Sequence, residues 1–74
     1  MPYYRDDRLL IKVGNHIRAL RLSKNLSQEE LAFASDLDIT QIGRIERGKV
    51  NTSICVLQRI ARALKVPLHE LLNF

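Results

Sequence analysis

The sequence predicts an all-α domain, and three observations carry that prediction. Apolar residues recur at three- and four-residue spacing along almost the whole chain. No run alternates with period two, so a sheet has no pattern to build on. Each apolar stretch is preceded by a residue suited to cap a helix. The 74 residues make one domain, spanning 1–74, with a small core and modest stability.

Five helices are expected, in chain order. Asp6 or Asp7 caps the first, and Leu10, Val13, Ile17 and Leu20 share its apolar face. Asn25 ends it, because asparagine tolerates the left-handed conformation of a helix C-terminus. Ser27-Gln28-Glu29-Glu30 matches a capping box, and Leu31 and Ala32 follow at once in a second helix reaching about Ser35. Asp36-Leu37-Asp38 breaks that helix, and Asp38 caps a third over roughly 39–47 that buries Ile42 and Ile45 and stops at Gly48. Lys49-Val50-Asn51-Thr52 reads as loop, with Ser53 capping a fourth helix whose stripe is Ile54, Leu57, Ile60, Ala61 and Leu64. Pro67 opens a final turn or two carrying Leu68, Leu71 and Leu72.

Composition excludes several classes. A single cysteine, Cys55, forms no internal disulfide and fits a reducing cytoplasm. The start, MPYYRDDRLL, has acids where a signal peptide needs an apolar run, and no segment has the length of a membrane span. His16, His69 and Cys55 fall in different helices, without metal-ligand spacing. Gly14, Gly43 and Gly48 are scattered and form no phosphate loop, and Asp6-Asp7 is a helix start, not an acid–base pair. Neither an enzyme nor a cofactor is expected, nor a small-molecule ligand.

Charge points to a polyanion. The chain carries +4 in total, and residues 1–38 are balanced at six basic and six acidic side chains. Residues 39–65 hold Arg44, Arg47, Lys49, Arg59, Arg62 and Lys65 against Glu46 alone. Such a basic half is the footprint expected for a nucleic-acid partner, the alternative being surface charge that serves solubility. Within it, two short helices joined by a tight turn over about 27–47 make a helix-turn-helix pattern. The major groove admits one such helix and presents a distinct pattern for each base pair. Ile42 and Ile45 give the buried stripe of that helix, and Ile39, Thr40, Gly43, Arg44 and Arg47 fall outside it.

Three runs carry a family resemblance: Ser27-Gln28-Glu29-Glu30-Leu31-Ala32, Ile42-Gly43-Arg44-Ile45-Glu46-Arg47-Gly48 and Leu57-Gln58-Arg59-Ile60-Ala61-Arg62-Ala63-Leu64. In order and spacing they resemble the Cro and phage-repressor (XRE) helix-turn-helix family over roughly residues 13–72. The resemblance implies a compact five-helix, lambda-repressor-like domain that binds double-stranded DNA as a homodimer over an inverted repeat and regulates transcription. Small stand-alone regulators of this form include restriction–modification controller proteins and phage repressors.

The resemblance also implies roles by position. Ile39, Thr40, Gly43 and Arg44 fall where family members meet base edges, Arg44 suiting guanine and Ile39 or Thr40 a thymine methyl. Gln28, Gln41, Arg47, Lys49, Asn51, Thr52 and Ser53 fall where the sugar–phosphate strand is held. Arg21 and Glu46 occupy the positions of a structural ion pair between the first and third helices. Cys55, Leu72 and Phe74 are the expected dimer contacts, with Leu68 and Leu71 closing the core. Asn25, Asp36 and Lys65 depart from the family by standing where glycine is frequent. The alternative reading is an antitoxin-like interaction module that sequesters a protein, for which residues 1–8 are the free segment.

Overall fold

The computed structural model describes residues 4–74. It contains α1 (Asp7–Ser23), α2 (Gln28–Ser35), α3 (Ile39–Glu46) and α4 (Ile54–Leu64), followed by a 3₁₀ helix at Leu68–Leu72, with no strand among the described residues. The expected fifth α-helix is therefore a 3₁₀ helix. It has five residues after Pro67 and no side-chain cap, and so short a run favours the tighter winding.

Each α-helix begins on a side-chain cap. Asp6 accepts from the Leu9 amide, Ser27 from Glu30, Asp38 from Thr40 and Ser53 from Val56. At α2 the box is reciprocal: the Ser27 amide donates to the Glu30 carboxylate at 2.9 Å. That bond, joined by the Ser27 hydroxyl, holds the Glu30 carboxyl below its ordinary value.

The four α-helices also end alike. Asn25, Asp36, Gly48 and Lys65 are left-handed, with φ between 56 and 70°. The next amide in each case reaches back five residues: Leu26 to the Arg21 carbonyl, Leu37 to Ala32, Lys49 to Arg44 and Val66 to Ala61. These are Schellman closures, normally accompanied by an apolar contact from the residue after the left-handed one. Leu26, Leu37 and Val66 make that contact with the core. Lys49, in the same position after α3, is exposed. Lysine at φ 60° in Lys65 costs about 1–2 kcal/mol that glycine would not.

The core joins Val13 and Ile17 of α1, Leu31 and Ala32 of α2, Ile42 and Ile45 of α3, Ile60, Ala61 and Leu64 of α4, and Leu71. Helix α3 is packed on both α1 and α2, and α2 packs on α4. The α1–α3 crossing is close. A Cβ on Gly14 would collide with the carbonyl oxygens of Ile45 and Glu46, the second at 2.6 Å. Ile54 was expected in the apolar stripe of α4 but is 72% exposed, because it is the first residue of α4 and the core ends before that turn. The 3₁₀ helix packs on α1 and α4, and the His16 Nε2 on α1 donates to the Glu70 carbonyl at 2.7 Å.

Candidate nucleic-acid interface

Helix α3 is fixed on three sides and open on the fourth. Ile42 and Ile45 anchor it in the core, and Gly48 lets the chain turn away directly beneath α1, where an added Cβ would meet the Ile11 backbone at 2.8 Å. The third anchor is polar. The Arg21 Nε donates to the Glu46 Oε2 at 2.7 Å and its Nη2 to the Oε1 at 3.1 Å, with both side chains almost wholly buried. A third Arg21 hydrogen bond, from Nη1, ends on the Leu26 carbonyl at 2.7 Å. Gln28 completes the network by donating from Nε2 to the Glu46 Oε1 at 3.0 Å. Helices α3 and α1 and the start of α2 are thus tied through one carboxylate.

On the open side, Ile39, Thr40, Arg44 and Arg47 are exposed and Gln41 is half-buried. Gly43 departs from its expected exposure. It is buried, because the Arg47 side chain one turn later folds over it, and an added Cβ would meet the Arg47 Nη1 at 3.1 Å. An open groove beside the helix is lined on one wall by Asp38, Thr40, Gln41 and Arg44. Its other wall is Val50, Asn51, Thr52, Ser53 and Val56. The fold therefore brings four residues of the α3 start and face against the loop that precedes α4. Ile39, Arg47, Lys49 and Gln28 lie outside that groove, with Lys49 exposed just beyond the C-terminus of α3.

Two exposed basic residues are also engaged by the fold itself. Arg59 donates to the Asp36 carbonyl at 3.1 Å, fastening the α2–α3 turn to α4. Arg5 pairs with Asp7 at 2.6 Å and donates from Nη2 to the Lys49 carbonyl at 2.9 Å. Neither contact has a local sequence signal, since the second joins residues 44 apart. The N-terminal segment is accordingly fastened from Arg5 onward, where the interaction-module reading treated residues 1–8 as free. Among the described residues no group of three or more His, Cys, Asp or Glu is placed to hold a metal ion. No helix of the described residues is long and apolar enough to cross a membrane.

A family profile described as helix-turn-helix matches residues 17–71. The chain belongs to that family. It is a DNA-binding transcriptional regulator of the XRE type. Over 62 residues it is 48% identical to the control protein C.BamHI of Bacillus amyloliquefaciens, covering 82% of this chain and 76% of that one. The crystal structure of the restriction–modification controller protein C.AhdI from Aeromonas hydrophila superposes with a TM-score of 0.83 at 45% identity, over 84% of this helix-turn-helix protein and 94% of C.AhdI. The controller protein C.Esp1396I, whose nucleoprotein complex has been solved, superposes with a TM-score of 0.80 at 40% identity, over 88% and 84% of the two chains.

Proposed function

We propose that the protein is a restriction–modification controller working in the cytoplasm, a homodimer that binds an inverted-repeat operator with α3 in the major groove. The observation that carries this reading is the surface of α3. Thr40 and Arg44 face a groove whose far wall is the polar loop Asn51–Thr52–Ser53, so base-edge and backbone contacts have adjoining supports. The relatives named as control proteins supply the biological role.

In this reading Ile39, Thr40 and Arg44 meet base edges. Arg44 offers the two-pronged donor that suits guanine, worth about 1–3 kcal/mol of discrimination. Gly43 contributes closeness of approach only when the Arg47 guanidinium swings off it toward a phosphate. Gln41, Lys49, Asn51 and Thr52 hold the strand. Ser53 serves it indirectly: its hydroxyl accepts from the Val56 amide at 3.1 Å, leaving the first amides of α4, those of Ile54 and Cys55, for an anion. Gln28 keeps one amide hydrogen for a phosphate while the other engages Glu46.

A second copy would place two reading helices about 34 Å apart in successive major grooves. Leu72 and Phe74, exposed beside the buried Leu71, and Cys55 with the exposed Ile54 supply the contacts we assign to that dimer. Selection of bound duplexes from a random pool, at about physiological salt where non-specific binding is weak, tests the proposal. Enrichment of an inverted repeat supports it. Folded protein that enriches no sequence contradicts it.

A further inference from the structure

The termination of α3 differs from the other three helix ends in one respect, and Arg5 makes good the difference. After α1, α2 and α4 the Schellman closure is pinned by an apolar residue, Leu26, Leu37 or Val66, packed on the core. After α3 the same position is Lys49, which is exposed and makes no such contact. Its carbonyl is taken instead by the Arg5 guanidinium at 2.9 Å, and Arg5 is itself oriented by Asp7 at 2.6 Å. From Lys49 to Thr52, among the described residues, this is the one hydrogen bond that reaches the segment besides the Lys49 amide closing α3 onto the Arg44 carbonyl. Val50, half-buried, is its other attachment.

We infer that Arg5 is a positioning residue for DNA binding: it fixes the Lys49–Thr52 loop in the conformation that receives the sugar–phosphate strand. The inference rests on the proposed assignment of that loop to the DNA backbone. A loop already ordered in the free protein loses less conformational freedom on binding, and each mobile side chain ordered at an interface lowers affinity several-fold. Arginine suits the task because its planar fork satisfies a carboxylate and a carbonyl at once, which a lysine ammonium on a flexible stem does poorly.

The test measures affinity for a selected duplex, its salt dependence and the denaturation midpoint for wild type, Arg5→Ala, Arg5→Lys, Lys49→Ala and the Arg5→Ala/Lys49→Ala double variant. Arg5→Ala is expected to weaken binding by about fivefold on every duplex sequence, with base preference unchanged. Arg5→Lys is expected to behave like Arg5→Ala, although it keeps the charge. Lys49→Ala leaves the Lys49 carbonyl in place, so the double variant is expected to bind about fivefold worse than Lys49→Ala alone, with the same salt slope. A salt-slope change of about one phosphate for Arg5→Ala, or for the double variant relative to Lys49→Ala, would overturn the inference by making Arg5 an independent phosphate contact. So would restoration of full affinity by Arg5→Lys, or a loss of affinity matched by a fall in the denaturation midpoint. Failure of the wild-type protein to select any duplex overturns the proposed function and this inference together, whereas selective wild-type binding with an unaltered Arg5→Ala variant overturns this inference alone.

Discussion

Arg21 and Glu46 stand 25 residues apart in the chain and form a buried ion pair, Nε to Oε2 at 2.7 Å, that fixes the C-terminal end of α3 to α1. Glu46 accepts from Gln28 as well, so the carboxylate sits at the junction of three helices. Burial makes the pair a determinant of geometry more than a source of stability. Removing one partner strands a charge that water cannot reach, while replacing both by apolar residues removes the desolvation penalty too.

Arg21→Met is therefore expected to cost about 3–5 kcal/mol. Adding Glu46→Leu is expected to recover most of that loss, read as denaturant midpoints of the single and double variants. If the double variant is as unstable as the sum of the two single ones, the pair is not the coupled unit described here.

Gly14→Ala addresses the same α1–α3 junction through packing. The new Cβ meets backbone carbonyls of Ile45 and Glu46, which have no rotamer by which to yield, so the helices must separate. Overpacking of this kind costs about 1–3 kcal/mol, and DNA affinity should fall because α3 is displaced. A variant with wild-type stability and affinity would show that the crossing is looser than the carbonyl positions require.

Glu30 supplies a pH-dependent contribution. Its carboxyl lies below the ordinary value of 4.5, chiefly because the Ser27 amide donates to it, with the Ser27 hydroxyl second. A depressed folded-state value means that the stabilisation is complete above the unfolded value and is lost as pH falls through the folded one. Glu30→Gln should consequently flatten the decline in thermal midpoint below about pH 4.5 relative to wild type. Parallel acid titration curves for the two proteins would remove Glu30 from the acid response.

Leu72→Ser/Phe74→Ser tests the assigned dimer surface. Both side chains are about half exposed in the single chain, 51% and 56%, so the fold itself should lose little. Sedimentation should show dissociation into monomers at concentrations where wild type is dimeric, a weakening of roughly 2 kcal/mol or more. A dimer of unchanged affinity would move the interface away from the C-terminal residues.

Local signals in the chain led to a large part of the fold. The caps Ser27, Asp38 and Ser53 and the left-handed Asn25 depend on chemistry within a few residues and lie where local reasoning puts them, while the left-handed Asp36 and Lys65 stand where the family resemblance puts glycine. What escaped depends on tertiary neighbours. Gly14 looks like any helical glycine until α3 is laid against it, and Arg5 and Arg59 look like surface charges until the carbonyls of Lys49 and Asp36 come within reach. Helical spacing put Gly43 and Ile54 on the wrong sides, since it cannot see a covering Arg47 side chain or the place where a core stops. The positions of the candidate base readers came from resemblance, and the fold adds to them the facing wall of Asn51, Thr52 and Ser53.

The most direct test of sequence reading by α3 is to select duplexes from a random pool with wild type and Arg44→Ala in parallel. An inverted repeat for wild type, and loss of preference at one position in each half-site for Arg44→Ala, is the expected result. Binding by Arg44→Ala that is weaker on every sequence to the same degree would contradict it, because that is the behaviour of a phosphate contact.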